Sequence, residues 1–270
     1  MTSVSYDQRY GVLEQLLHTW WAPLSREQQV TAAELTTVEV RLGRCLPRAL
    51  HDWFHMAGRR DDCFGGDDHP LAPDHLRLED QMLIFAVENQ GLCAWGIPLA
   101  TLDQPDPPVL IDTQEWTGQP GQTTPNWEAG HMTVTEFLLG MVLEATWYHV
   151  QFAAEGSLPL LVLTDVAHHY PTLVPQHPVL GTLYGSTDCL IHVAPNDEDG
   201  AWPVRVLVRT QARFEDVLRQ LGRTVPEREH RIRQGCHPYT HHCQELASRY
   251  IDRALRDDGQ MVQCGEPTDE

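Results

Sequence analysis

The chain has 270 residues, of which 41% are apolar, and a formal net charge of −19. This is enough for one large or two small domains with an ordinary core. No apolar run approaches the roughly 18 residues of a membrane span. The N-terminus also lacks the basic and then apolar segments of a secretory signal. We therefore expect a cytoplasmic protein.

The charge distribution limits the classes of partner. The chain contains no lysine, and residues 78–204 contain neither Lys nor Arg. Nucleic-acid binding depends on Lys and Arg side chains that contact phosphates, so this acidic stretch argues against it. Acidity favours solubility, and it also favours attraction of a basic protein partner. The composition leaves both explanations open.

Seven cysteines are scattered along the chain, and their odd number does not fit a disulfide framework. We expect most of them to be reduced and to behave as small apolar residues. They are Cys45, Cys63, Cys93, Cys189, Cys236, Cys243 and Cys264.

The first third of the chain predicts three helices. Apolar residues at helical spacing indicate a first helix over about 7–21. A capping-box pattern at Thr31 opens a second helix that Gly43 ends. A third helix begins at Leu46-Pro47 and ends at Gly58.

A polar loop, 59–76, separates these helices from a predicted β-hairpin. The apolar segment 81–87 favours a strand, 89–91 supplies turn chemistry, and 92–97 reads as a second strand. Glu88 could act as a buried acid and Trp95 could stack on a ligand. The structural alternative, which we favour, is that the turn satisfies backbone groups and Trp95 packs in the core.

The segments after the hairpin predict a short strand at 109–111, a loop over 113–130 and then the longest helix, 134–154. A capping box at Thr133 opens that helix.

Three separated elements together resemble the SUKH (SMI1/KNR4) superfamily. They are Leu42-Gly43-Arg44-Cys45-Leu46-Pro47, the hairpin with Glu88, Asn89, Gln90, Gly91, Trp95 and Gly96, and the long helix that follows. The resemblance covers roughly residues 31–150. It implies an α+β fold and a binding protein without a shared catalytic site. Most family members are bacterial immunity proteins that neutralise toxins.

The last third predicts strands at 160–163, 189–193 and 204–209, the last two joined as a hairpin, and a short helix at 214–221. We expect a single α+β domain with a mostly antiparallel central sheet, packed helices and a C-terminal β extension. The predicted divisions are an N-terminal helix in 1–30, a SUKH-like domain in 31–224 (core 31–150, extension 157–224), a helix in 225–257 and a disordered tail in 258–270. A separate small domain is the alternative for the extension.

Two His-rich segments invite a metal-site interpretation. Cys236, His237, His241, His242 and Cys243 lie within eight residues, but no second ligand pair accompanies them. His168, His169 and His177 fall in what the flanking prolines predict to be a solvated loop. We therefore expect no metal and no cofactor, and the sequence lacks the motif contexts of nucleophilic enzymes.

The function predicted from these observations is that of an immunity protein, not an enzyme, that binds a cognate toxin stoichiometrically. The toxin is expected to be basic. Regulatory or scaffold binding of the same family type, and a metal-dependent enzyme built on the Cys/His cluster, are the alternatives. Candidate contact residues lie in two acidic segments: Asp61, Asp62, Asp67 and Asp68, and Asp197, Glu198 and Asp199.

Overall fold

The computed structural model describes residues 5–23, 25–60, 68–88, 93–112, 115–116, 123–195 and 201–221. The chain forms two compact units. The first unit comprises residues 1–150 and 172–183, and the second comprises 151–171 and 184–270. The chain passes between the units more than once, so no single cut in the sequence separates them.

The described chain consists of helices and antiparallel strands. The α-helices are α1 (Tyr6–Trp20), α2 (Ala32–Leu42), α3 (Arg48–Ala57), α4 (Val134–His149), α5 (Leu160–His169) and α6 (Gln211–Leu221). The strands are β1 (Asp68–Pro70), β2 (Arg77–Glu79), β3 (Met82–Glu88), β4 (Ala94–Pro98), β5 (Pro108–Asp112), β6 (Glu115–Trp116), β7 (Thr123–Thr124), β8 (Trp127–Thr133), β9 (Phe152–Pro159), β10 (Thr172–His177), β11 (Gly181–Gly185), β12 (Cys189–Val193) and β13 (Ala201–Val208). The predicted α+β class, with antiparallel sheets and packed helices, is confirmed.

The predicted caps fix the helix boundaries in the first unit. Thr31 and Thr133 form complete capping boxes at the starts of α2 and α4. Gly43 ends α2 in the left-handed conformation, at φ 62°. Pro47 precedes the first residue of α3, where its missing N–H leaves no helical hydrogen bond unmade.

The sheet of the first unit has the order β1, β3, β4, β5, β8, and β2 also pairs with β3. β3 is an internal strand that pairs with β1, β2 and β4, and its side chains from Met82 to Ala86 are buried on both faces. Helix α4 packs across the sheet, where Phe137 meets Phe85 with ring centroids 5.2 Å apart. Edge-to-face aromatic contacts of this kind stabilise a core beyond the area they bury.

In the second unit, β13 pairs antiparallel with β12 on one side and with β9 on the other. Alternate β13 residues, Val204, Val206 and Val208, are buried in one apolar cluster. Phe214 and Val217 of α6 belong to the same cluster, as the amphipathic spacing of that helix requires. The predicted hairpin of 189–193 with 204–209 is confirmed.

Two predictions for residues 150–163 are wrong. The long helix ends at His149, and β9 occupies residues assigned to the helix end and the following linker. Residues 160–163, predicted as a strand, begin α5. A short apolar run does not distinguish a strand from a buried helix, and eight residues of pairing with β13 override the weak strand propensity of β9.

Among the described residues, no helix combines the length and the apolar character needed to cross a bilayer. The predicted C-terminal helix and tail lie outside the described residues.

Candidate functional site

The predicted tryptophan-bearing hairpin is present as β3 and β4. The two strands pair antiparallel, with Ala86 opposite Trp95 and Val87 opposite Ala94. The backbone N–H of Glu88 donates to the carbonyl oxygen of Cys93 at 3.1 Å, which closes the end of the hairpin. Asn89, Gln90 and Gly91 lie outside the described residues. The hairpin therefore joins the acidic Glu88 to an aromatic strand through a short connection.

The first acidic segment reaches this hairpin through β1. Asp68 begins β1, and its Cα is paired with that of Glu88 on β3. Asp61, Asp62 and Asp67 lie outside the described residues, as do Asp197, Glu198 and Asp199. Of the predicted contact residues, the structure thus places Asp68 beside the hairpin motif.

Trp95 is less buried than the sequence predicts. Its ring packs at 5.2 Å, centroid to centroid, on Phe137 of α4, which is the contact expected of a structural tryptophan. Its side chain is nevertheless only partly buried, unlike Ile97 two residues later. Because one side of the ring is held and part of it faces solvent, Trp95 can anchor the hairpin and still contribute aromatic surface to a partner.

Gly96 has a packing role that the sequence alone does not reveal. A Cβ at residue 96 would stand 3.0 Å from the indole ring of Trp127 and 3.2 Å from the Cβ of Met82. Trp127 begins β8, a part of the chain that we predicted to be a loop. The Gly in the Trp-Gly pair is therefore needed so that the ring of a distant tryptophan can pack against the backbone of β4.

No family model, curated protein or solved structure matches the chain.

Asp112, at the end of β5, is a buried acid whose role is local. Its side chain accepts a hydrogen bond from the backbone N–H of Asn126 at 2.7 Å. This contact sets the start of β8, because Asp112 is also paired with Trp127 in the sheet.

A second group of charges surrounds the start of α4. The Arg9 guanidinium lies 2.7 Å from Asp106 and 3.6 Å from Glu136. Asp106 also accepts from the backbone N–H and the hydroxyl of Thr135, at 2.9 and 3.0 Å. Glu136 is the capping-box residue of α4 and lies 3.4 Å from His177. The sequence predicted the cap but gave no signal for its distant partners.

The histidine-rich segments do not form a metal site in the part of the chain that is described. His168 and His169 belong to the last turn of α5, which corrects the predicted loop, and each Nδ1 lies 2.7 Å from a carbonyl oxygen four residues earlier. His177 lies at the end of β10. Within these residues, no three His, Cys, Asp or Glu side chains are placed to share a metal ion. The cluster from Cys236 to Cys243 lies outside the described residues.

Cys189 is the buried thiol of the second unit. Burial, reinforced by the nearby Asp188, raises its pKa to about 12, against a smaller opposing effect from Arg213. The thiol therefore stays protonated at neutral pH, and a protonated thiol is neither a good nucleophile nor a metal ligand. Cys45, Cys93 and Cys189 are all free thiols, in line with the sequence prediction.

Proposed function

We propose that the chain is a cytosolic immunity protein that binds a cognate toxin protein stoichiometrically and blocks it. The observation that carries the proposal is the pairing of β1 with β3, which brings Asp68 of the acidic segment opposite Glu88 of the hairpin motif. Two features found separately in the sequence thus lie together. Trp95, partly exposed on the next strand, adds the kind of aromatic surface that is common at the centres of protein interfaces.

A basic toxin fits the charge of this region. Acidic groups on one side of a binding protein raise the encounter rate with a basic partner by roughly 10–10³-fold at low salt. If the toxin is a nuclease, the carboxylates also occupy the positions that substrate phosphates would take, and binding alone then suffices for inhibition. The resemblance to SUKH proteins supports the same function through three motifs in order. Of these, the hairpin is present as β3 and β4 and the long helix as α4.

Co-expression with the protein encoded by the adjacent gene tests this proposal. We expect the partner alone to arrest growth and co-expression of this chain to restore it, with a one-to-one complex recovered from the rescued cells. Replacing Asp61, Asp62, Asp67 and Asp68 with Asn should weaken the rescue.

A matched control removes the same amount of charge elsewhere in the first unit, at the exposed acids Glu14, Glu27, Asp74 and Asp103. We expect this control variant to rescue growth nearly as well as the wild type. Equal loss of rescue in both variants would mean that rescue depends on the total charge of the protein and not on the hairpin region. Absence of any complex with the adjacent gene product would favour the regulatory alternative.

A further inference from the structure

The face of the first sheet that points away from α4 carries the ring of Trp127. Helix α4 packs through Phe137 on Phe85 and Trp95, so it covers one face of the sheet. Successive strand residues point to opposite faces, so Gly96 belongs to the other face. A Cβ on Gly96 would meet the indole ring of Trp127 at 3.0 Å, which places that ring on the face away from α4.

The indole nitrogen of Trp127 is buried, but it has no hydrogen-bond partner in the described part of the chain. An indole N–H can only donate, and a buried donor without an acceptor is costly and therefore rare in folded proteins. The side chain as a whole is only partly buried. Packing alone holds the ring on Gly96, so tilting it toward an acceptor outside the sheet breaks no hydrogen bond and forms one.

Apolar surface that reaches solvent surrounds this ring. Two rows of directly opposed residues cross the face: Val87, Ala94, Asp112 and Trp127, and Ile84, Gly96, Leu110 and Ala129. Within these rows Val87, Ala94 and Leu110 are half-buried, and Ala129 is exposed. Trp127 therefore lies at the middle of a partly open apolar patch and not in a closed core.

The acidic end of the hairpin borders this patch. Glu88 follows Val87 at the end of β3, and Asp68 on β1 is paired with Glu88. Both rows also lie within residues 78–204, which contain neither Lys nor Arg. An apolar centre with a charged border is the usual composition of a protein interface, and the charge here attracts a basic partner.

We propose that this face is the surface that holds the toxin, with Trp127 as its central aromatic anchor. The inference rests on the function proposed above and adds the contact surface to it. On binding, the ring tilts and its Nε1–H donates to an acceptor on the toxin. An apolar side chain of the toxin packs beside the ring on Leu110 and Ala129, and its basic side chains lie toward Glu88.

Indole ¹⁵N–¹H spectra of the free protein and of its complex with the adjacent gene product test this surface. The chain has eight tryptophans, and the signal that disappears in Trp127→Phe identifies Trp127. In the free protein its indole proton should resonate upfield of that of Trp21, which donates to Thr146 at 3.0 Å. In the complex it should move downfield. An unchanged signal in a complex that does form would overturn the inference and leave the proposed function standing, whereas failure to form any complex would overturn both.

A second variant tests the face without altering the anchor. Ala129→Arg adds a positive charge at an exposed position of the patch, and it should weaken the complex about tenfold or more, because like charges opposed across an interface are costly. Val40→Arg is the matched control, because Val40 on α2 is an apolar residue of the same unit that is 77% exposed; this variant should bind as the wild type does. Titration calorimetry measures both affinities, and circular dichroism checks that both variants are folded. Equal weakening in the two variants, or none in Ala129→Arg, would overturn the proposal.

Discussion

The indole ring of Trp127 lies on Gly96, so that a Cβ at residue 96 would be 3.0 Å from two of the ring carbons. The two residues are on β4 and β8, which are separated in the sheet by β5. A distance this short requires the ring or the strand to move. Gly96 is therefore required by packing.

Gly96→Ala should lower the free energy of unfolding by about 1–3 kcal/mol, the usual effect of overpacking a core. Gly11→Ala is the matched control, because nothing lies within 4 Å of a Cβ at that exposed position in α1. Alanine is the better helix former, so the control should gain about 0.5–1 kcal/mol. Urea unfolding of both variants checks the difference, and a loss at residue 11 as large as at residue 96 would contradict the packing argument.

Trp95→Ala should lower stability by about 2 kcal/mol, less than the 3–5 kcal/mol that is usual for a fully buried aromatic residue. The reason is that Trp95 contacts Phe137 but keeps part of its ring in solvent. Trp53→Ala provides the comparison, because Trp53 is only 1% exposed. Thermal unfolding should place the Trp53 variant well below the Trp95 variant. Equal losses would show that Trp95 belongs wholly to the core and offers no surface to a partner.

Asp106→Ala should destabilise the first unit by about 3 kcal/mol, because it leaves the partly buried Arg9 with one acidic partner fewer and removes the acceptor for Thr135. The exposed pair of Arg77 and Glu79, at 2.9 Å, is the control. Glu79→Ala should change stability by less than about 0.5 kcal/mol, since solvent screens exposed ion pairs. Chemical denaturation of the two variants tests whether burial of the ion pair accounts for the difference between their losses of stability.

Native-state alkylation should distinguish two of the cysteines. Burial raises the pKa of Cys189 to about 12, so it remains a thiol at pH 8 and is also shielded from reagent. Cys45 is exposed and should react readily with iodoacetamide. Mass spectrometry of the digested protein should find label on Cys45 and, before unfolding, almost none on Cys189. Rapid labelling of Cys189 in the native state would show that the second unit opens.

Local chemistry made much of the fold predictable from the sequence. The helix starts at Thr31 and Thr133 follow from side chains that bond nearby N–H groups, and the hairpin of β3 with β4 follows from an apolar run, a turn and a second apolar run. These signals act over a few residues. They can therefore be read from a short segment of sequence, independently of the rest of the chain.

The misassigned parts depend on distant partners. β9 has weak strand propensity and forms because β13 pairs with it along eight residues. The contact of Trp127 with Gly96, and the grouping of Arg9, Asp106 and His177 around Glu136, join segments far apart in sequence. No local sequence pattern encodes contacts between distant segments. The charged cluster at the start of α4 was therefore not predicted.

We propose that the acidic segment that ends at Asp68 steers a basic toxin to this protein. Stopped-flow association with the adjacent gene product, at low and at high salt, tests it most directly. The Debye length falls to about 8 Å at physiological ionic strength, so the rate should drop as salt increases. Asn at residues 61, 62, 67 and 68 should slow association several-fold at low salt, because these substitutions remove four negative charges from the acidic segment. An association rate that responds neither to salt nor to these substitutions would contradict the account and leave the acidity as a solubility trait.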